Sequence, residues 1–160
     1  MIIIIMGVAG SGKTTIGLLL AQELGWAFYD ADDFHPESNR IKMSQGIALT
    51  DEDRAGWLIS LRELIAQNIQ QNHPMVLACS ALKNSYRATL EVNERVKFVY
   101  LRGTYEQIKT RLRDRAGHFM KAHMLDSQFQ TLEEPQNALT VDITKTPQDI
   151  LAMIRKGLNL

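Results

Sequence analysis

The amino-acid sequence predicts an α/β domain of three layers, in which helices cover both faces of a five-stranded parallel sheet. Short apolar runs alternate along the chain with segments of helical periodicity, and this is the pattern of repeated strand–helix–strand units. The first run, Ile2 to Met6, passes directly into Gly7-x-x-x-x-Gly12-Lys13-Thr14. That spacing is typical of a phosphate-binding loop (P-loop) between a strand and a helix.

The glycine-rich loop has the chemistry of a nucleotide site. Its residues are Gly7, Val8, Ala9, Gly10, Ser11, Gly12, Lys13, Thr14 and Thr15. The glycines allow a tight turn in which backbone N–H groups converge on an anion, and the following helix directs its positive end to the same place. Lys13 supplies a cation for the terminal phosphates, and the Thr14 hydroxyl can ligate Mg²⁺. A turn that binds no ligand would leave Lys13 and the paired threonines unexplained.

The composition predicts a single intracellular domain. A length of 160 residues is usual for one domain, and the formal net charge of zero argues against a general nucleic-acid or membrane-surface binder. The only cysteine, Cys79, cannot form an intramolecular disulfide and suits a reducing cytosol. The apolar N-terminal stretch is too short to span a bilayer. We therefore expect a cytoplasmic protein without nucleic-acid or membrane partners.

An acidic cluster follows the second predicted strand, Trp26 to Tyr29. The cluster consists of Asp30, Asp32 and Asp33, with His35 after it. In open parallel sheets, ligands bind beyond the carboxyl ends of the strands. One carboxylate can hold Mg²⁺ through water, and another can accept a proton from a substrate hydroxyl. Asp32 or Asp33 can alternatively cap the following helix, and the two roles are compatible.

The next segment is predicted to hold a short helix from Pro36 to Ser44 and a long amphipathic helix. Thr50 and Asp53 have the spacing of a capping box at the start of the long helix. Arg54 lies in its first turn, where a cation opposes the helix dipole. This position slightly favours a substrate-binding Arg54 over a solvent-exposed one.

Two cations follow the third predicted strand, Met75 to Cys79. Lys83 and Arg87 are four residues apart, so on a helix they would share one face. They can receive a carboxylate or phosphate, or they can form an ordinary solvated basic face. We expect Cys79 to be a small buried core residue rather than a nucleophile.

A mobile lid is predicted after the fourth strand, Val96 to Leu101. A helix from Thr104 carries Arg111, Arg113 and Arg115 toward Gly117. Such arginines can place charge on a transferring phosphoryl group when a lid closes, although a solvated helix face is the alternative.

The C-terminal part is predicted to be structural. A helix from Lys121 to Leu132 precedes a fifth strand, Ala138 to Asp142. The last helix begins at Thr146, with Pro147 as its first residue.

Several blocks of the sequence are shared with one family of enzymes. They are Gly7-Val-Ala-Gly-Ser-Gly-Lys-Thr14, Asp30-Ala-Asp-Asp-Phe-His-Pro36, Lys42-Met43 with Gly46, Leu49-Thr-Asp-Glu-Asp-Arg54 with Trp57-Leu58, Cys79-Ser-Ala-Leu-Lys83 with Tyr86-Arg87, Gly117-His-Phe-Met120 with Met124-Leu125, Ser127-Gln-Phe129, Leu132-Glu133 and Pro135. Together they resemble the small P-loop gluconate kinases (gluconokinases), and the resemblance extends from residue 1 to about residue 135. Ala9 departs from the serine that relatives often carry, and another small residue there should leave the loop unchanged.

The resemblance implies a three-layer P-loop NTPase fold similar to shikimate and nucleoside-monophosphate kinases. The chain would be one kinase domain over residues 1–160, with a substrate-binding insertion at about 34–72 and a lid at about 111–123. The implied activity is ATP:D-gluconate 6-phosphotransferase, with ATP and Mg²⁺ as cofactors, and the family is often homodimeric.

The resemblance also implies roles for individual residues. Asp30 and Thr14 would hold Mg²⁺, and Lys13, Asp32 and Arg115 would be catalytic. The nucleotide would contact the P-loop, Gly7 to Thr15, and Arg111 or Arg115. Gluconate would contact Asp32, His35, Arg54, Lys83 and Arg87. Two alternatives remain, namely a P-loop kinase for another small acceptor such as shikimate or a nucleotide, and a nucleotide-dependent switch. The switch would call for an Asn-Lys-x-Asp guanine motif, which the sequence lacks.

Overall fold

A computed structural model describes residues 1–114 and 119–160, of which 119–123 by their backbone alone. Five strands form one sheet: Ile2–Met6 (β1), Ala27–Asp30 (β2), Met75–Ala78 (β3), Val96–Arg102 (β4) and Leu139–Asp142 (β5). The strand order is β2-β3-β1-β4-β5, and every pairing is parallel. The predicted five-stranded parallel α/β fold is therefore confirmed.

The helices begin and end close to the predicted positions. They are Lys13–Leu24 (α1), Glu37–Ser44 (α2), Asp51–Gln70 (α3), Asn84–Leu90 (α4), Tyr105–Asp114 (α5), Phe119–Thr131 (α6) and Pro147–Leu158 (α7), with a short 3-10 helix at Ala31–Phe34. The Thr50 side chain accepts from the Asp53 N–H, and the Asp53 side chain accepts from the Thr50 N–H, so the predicted capping box is present. Thr146 is the N-cap of α7, and its side chain accepts from the Asp149 N–H.

The central strand explains why the chain begins with an apolar run. Every residue of β1 is fully buried. Ile3 and Ile5 pack with α1, α5 and α7, whereas Ile2, Ile4 and Met6 pack on the other face with α3 and α4. A strand covered on both faces cannot alternate apolar and polar residues.

The strand register places the candidate site residues at one edge of the sheet. Ile5 of β1 and Asp30 of β2 both lie opposite Ala78 of the intervening β3. The P-loop after β1 and the acidic cluster after β2 therefore emerge at the same level. They are neighbours across β3, without direct pairing of β1 with β2.

The predicted substrate-binding insertion lies within the described residues, whereas the predicted lid does so only in part. Residues 34–72 contain α2 and α3, and α3 buries Trp57, Leu61 and Ile65 against the sheet. Residues 111–123 contain the end of α5 and the start of α6, and the predicted lid residues 115–118 lie outside the described part. Within residues 1–114 and 119–160, no helix has the length and apolarity needed to cross a membrane.

Candidate active site

The loop between β1 and α1 is tightly wound. Gly7 has φ +148, and a Cβ there would lie 2.8 Å from the Ser11 Oγ and 2.9 Å from the Leu101 carbonyl oxygen. Gly12 has a left-handed conformation with φ +99 and is the N-cap of α1. No larger residue adopts these positions without strain, so the glycines set the path of the loop. The N–H groups of the first turn of α1 consequently face the mouth of the loop.

Lys13 is half-buried at the start of α1. Its Nζ donates to the Val8 carbonyl oxygen at 3.0 Å, so the side chain lies back along the loop. Burial lowers the pKa of Lys13, while the negative charges of Asp32 and Asp30 act in the opposite direction. The lysine and the two carboxylates therefore face a common space.

Asp30 joins the end of β2 to the start of α1. Its Oδ2 accepts from the Thr14 hydroxyl at 2.9 Å, and its Oδ1 accepts from the Asp32 N–H at 3.0 Å. Asp30 is thus the N-cap of the 3-10 helix. The prediction that Asp32 or Asp33 caps the following helix is wrong, because the N-cap of α2 is Pro36.

The same pair of oxygen ligands suits a hard cation. A hydroxyl and a carboxylate are ligands that Mg²⁺ accepts while it keeps several waters. Among the described residues, no group of three or more His, Cys, Asp or Glu side chains is arranged to hold a metal ion. Thr14 and Asp30 therefore fit a Mg²⁺ that is also held by phosphate oxygens and water.

A cavity of about 520 Å³ opens beside the P-loop. Its volume lies in the range of small-molecule sites. The side chains that carry its polar chemistry are Lys13, Thr14, Asp30, Asp32, His35 and Arg54, with Ser127 and Gln128 on the wall that α6 supplies. The cavity thus brings the P-loop residues Lys13 and Thr14 together with some of the predicted acceptor residues, namely Asp32, His35 and Arg54.

His35 is buried in the wall of this cavity. Its ring stacks on Trp57 with a centroid distance of 4.4 Å and an interplanar angle of 13°. Burial, together with the guanidinium groups of Arg54 and Arg40, lowers the pKa of His35 to about 4. The ring is therefore neutral at physiological pH.

Arg54 is half-buried and lines the cavity, while its predicted role in substrate binding stays a prediction. One terminal nitrogen donates to the Leu49 carbonyl oxygen at 2.6 Å and to the Tyr86 hydroxyl at 3.3 Å. The guanidinium also lies 5.6 Å from the centre of the Tyr86 ring. These contacts hold the cation at the cavity wall.

Lys83 and Arg87 do not share a helical face, and that expectation is wrong. Lys83 has an extended backbone, with φ −95 and ψ 149, and is the N-cap of α4. Its Nζ contacts both oxygens of Asp51 at 2.9 Å. Lys83 is absent from the described lining of the cavity.

Arg87 is only 6% exposed and contacts the protein itself. Its guanidinium donates to the carbonyl oxygens of Ala81, Leu82 and Glu133 at 2.7, 3.0 and 2.7 Å, and also to the Asn84 side chain. This arrangement organises the segment after β3 instead of offering a charge to a ligand.

Of the two arginines that were predicted to contact the nucleotide, the structure describes only Arg111. Arg111 donates to the Ile143 carbonyl oxygen and lines a separate cavity of about 390 Å³ between α5 and the segment after β5. Arg115 lies outside the described residues.

Gln128 is a site residue that the sequence reasoning did not single out. Its Oε1 accepts from the Ala9 N–H of the P-loop at 2.6 Å. The only signal was its membership of the Ser127-Gln-Phe129 block, because a glutamine in a helix has no chemistry of its own to mark it. Cys79, in contrast, is a buried core residue as predicted, and burial raises its pKa to about 12.

Comparisons with known proteins agree on one group of kinases. A family model described as shikimate kinase matches residues 9–149. The chain is 42% identical to a probable gluconokinase of Mus musculus, over 98% of this chain and 97% of the mouse protein. It is 40% identical to the thermoresistant gluconokinase of Escherichia coli K12, over 98% of this chain and 94% of that protein.

A solved structure gives the same result in three dimensions. The crystal structure of a gluconokinase from Sinorhizobium meliloti superposes with a TM-score of 0.89 at 38% identity, and the match covers 98% of this chain and 90% of that one. Identity at this level extends over nearly the whole length of each of these proteins. The chain therefore belongs to the gluconokinase family of shikimate-kinase-like P-loop kinases.

Proposed function

We propose that this chain transfers the γ-phosphoryl group of ATP to the 6-hydroxyl of D-gluconate. The observation that carries the proposal is that one cavity is lined both by Lys13 and Thr14 and by Asp32, His35 and Arg54. Phosphoryl transfer requires donor and acceptor in line in one water-excluded site. Membership of the gluconokinase family supports gluconate as the acceptor.

The donor half consists of the P-loop, from Gly7 to Thr15. Its N–H groups and the first turn of α1 would bind the phosphate oxygens, and Lys13 would exchange its Val8 contact for a phosphate. Thr14 and Asp30 would hold Mg²⁺. Bound there, the ion would neutralise charge on the phosphates.

The acceptor half begins with Asp32. Its side chain is 72% exposed and lies on the cavity side of the 3-10 helix, where it can accept a hydrogen bond from a substrate hydroxyl. Asp32 would orient that hydroxyl and take up its proton as the bond to phosphorus forms.

Arg54 is the cation we propose for the gluconate carboxylate. It combines positive charge, partial burial and a place on the cavity wall, and a guanidinium can bind a carboxylate with two hydrogen bonds. Arg87 is not proposed as a ligand of gluconate, because its guanidinium donates to carbonyl oxygens of the protein. For Lys83 we propose only an indirect role, outside the described lining of the cavity, in which it forms a salt bridge with Asp51.

We propose that Arg111 and Arg115 contact the nucleotide. Arg111 lines the cavity on the other side of α5, which can accept part of the nucleoside. For Arg115 we keep the proposal of a phosphate contact in a closing lid. We also propose a cytoplasmic homodimer, for which light scattering after gel filtration measures the mass.

The test is ADP release in a coupled assay with a panel of acceptors: D-gluconate, other aldonates, shikimate and nucleoside monophosphates. The proposal expects gluconate to give the highest kcat/KM. Lys13→Ala should lose most turnover, and exposed Lys97→Ala is the matched control. Turnover with gluconate no higher than without an acceptor would refute the proposal.

A further inference from the structure

Asn39 is a buried polar residue of α2 to which nothing above gives a role. Its side chain is 2% exposed, and it lies between His35 and the first turn of α3. The side-chain nitrogen Nδ2 is 2.7 Å from the Asp53 carbonyl oxygen and 3.2 Å from Nδ1 of His35.

These two contacts fix the orientation of the Asn39 amide. A backbone carbonyl oxygen can only accept a hydrogen bond, so the Asn39 atom beside Asp53 must be the NH₂ group. A flipped amide would bring two acceptor oxygens together. The NH₂ group has no acceptor capacity, and Nδ1 of His35 must therefore accept from it.

The hydrogen bond from Asn39 then determines the tautomer of His35. An unprotonated Nδ1 in a neutral ring requires the proton to be on Nε2. Either the Nδ1–H tautomer or the imidazolium would set an N–H against the Asn39 NH₂ group. Trp57 holds the plane of the ring by stacking, and its own indole N–H is anchored on the Ala31 carbonyl oxygen at 2.7 Å.

The protonated Nε2 lies 4.0 Å from Oδ1 of Asp32. This separation is too long for a direct hydrogen bond, but an oxygen about 2.8 Å from each atom can bridge it. That oxygen must accept from His35 and donate to Asp32. A ligand hydroxyl does both, as does the water that it would displace, whereas a carbonyl oxygen cannot donate and an ammonium group cannot accept.

We propose that Asn39 is a positioning residue that locks His35 as the Nε2–H tautomer, so that His35 and Asp32 together bind one hydroxyl of the acceptor. The proposal rests on the proposed function for the identity of the acceptor, a polyhydroxylated acid. A carboxylate has about four lone-pair sites, so the same Asp32 side chain can also accept from the hydroxyl that is phosphorylated. The pair therefore contributes to recognition of a polyol.

The first test is the tautomer itself. In nitrogen-15-labelled protein at pH 7, the His35 signals are identified by their loss in His35→Gln. The proposal expects a protonated Nε2 and an unprotonated Nδ1, and it expects the Nε2 resonance to shift when D-gluconate is added. A protonated Nδ1 in the wild-type protein, or an Nε2 resonance that saturating gluconate leaves unmoved, would overturn it.

The second test uses Asn39→Asp. This nearly isosteric change presents an acceptor to Nδ1, so the proton should move to Nδ1 or the ring should become charged. We expect the KM for gluconate to rise by about tenfold or more, the loss of one specific hydrogen bond, while the KM for ATP changes less than about twofold. The matched control is Asn68→Asp, which also removes a buried amide donor from a carbonyl oxygen, that of Leu64, but lies outside the described cavity lining.

The outcomes separate the two proposals. No gluconate-dependent turnover by the wild-type protein would refute the proposed function. An active wild type whose Asn39→Asp variant keeps both its gluconate KM and its His35 tautomer would refute the role of Asn39 alone. The wild-type spectrum decides the tautomer even if the variant fails to fold.

A third test compares two variants of His35. His35→Gln retains an N–H donor in place of Nε2–H and should bind gluconate more tightly than His35→Leu, which has none. Equal affinities would contradict the donor role of His35.

Discussion

The Thr14 hydroxyl donates a hydrogen bond to Oδ2 of Asp30 at 2.9 Å. This contact links the first turn of α1 to the end of β2, across the intervening β3. Both residues line the cavity beside the P-loop. The proposed cation ligands are therefore already paired with each other, and a Mg²⁺ would bind between phosphates and a prearranged hydroxyl and carboxylate.

Thr14→Val should impair the use of Mg²⁺. Valine has nearly the shape of threonine but no hydroxyl, so it removes one ligand with little change in packing. We expect a fall in kcat of about 100-fold and a higher Mg²⁺ concentration for half-maximal rate. ADP release measured against Mg²⁺ at fixed ATP checks this. Thr14→Ser, which keeps the hydroxyl, is the control, and a Val variant with the wild-type Mg²⁺ dependence would exclude Thr14 as a ligand.

Asp32→Asn should lower kcat while ATP binding is retained. The amide keeps the size of the side chain but removes the proton acceptor, an effect of about 100-fold for a general base. The KM for ATP should change less than about twofold. Asp33→Asn is a matched control, because Asp33 is an exposed neighbouring carboxylate outside the described cavity lining. If kcat is the same in the Asp32 variant and the wild type, Asp32 has no part in proton transfer.

Arg87→Lys should reduce stability. The guanidinium satisfies three carbonyl oxygens around the segment after β3, where Ala81 has a left-handed φ of 44. A single ammonium cannot reach all three, so buried acceptors lose their partner at a cost of about 3 kcal/mol in the free energy of unfolding. Urea unfolding followed by tryptophan fluorescence gives this difference. A variant with wild-type stability but a raised gluconate KM would instead restore Arg87 as a substrate residue.

The buried His35 should make the protein sensitive to acid. Its pKa is about 4 in the folded chain and 6.5 in an ordinary environment, so below pH 6.5 the unfolded chain takes up a proton that the folded chain refuses until about pH 4. The free energy of unfolding should therefore fall through this window, by about 2 kcal/mol from this group at pH 5.

His35→Gln should flatten the decline in stability between pH 6.5 and 4. The corresponding change at the exposed His73, His73→Gln, serves as the comparison. Urea denaturation at pH 7, 6, 5 and 4.5 provides the profile. An identical slope in the wild type and the His35 variant would mean that His35 is not held neutral by the fold.

The sequence predicted the features that depend on local chemistry. A run of isoleucines with no polar alternation indicates a strand buried on both faces, and β1 is such a strand. The spacing from Gly7 to Thr14 requires a tight loop before a helix, and Thr50 with Asp53 forms the capping box that their separation indicates. These structures depend on residues only a few positions apart, so they can be predicted from the sequence alone.

The sequence could not predict contacts between distant segments. Lys83 lies one residue before α4 and contacts Asp51, which is 32 residues away in the sequence. Its backbone position and this contact together determine the direction of its side chain. Gln128 meets the P-loop only because α6 packs over Ala9, 119 residues earlier. Asn39 acquires its role only when α2 lies against both His35 and the start of α3.

The central claim is tested most directly by the identity of the product. The full chain is incubated with ATP, Mg²⁺ and D-gluconate, and the phosphorus-31 spectrum is recorded without proton decoupling. We expect a new phosphate monoester resonance split into a triplet by the two protons on C6. A doublet would indicate transfer to a secondary hydroxyl, and inorganic phosphate as the only new product besides ADP would indicate hydrolysis, so either result would contradict gluconate 6-phosphorylation.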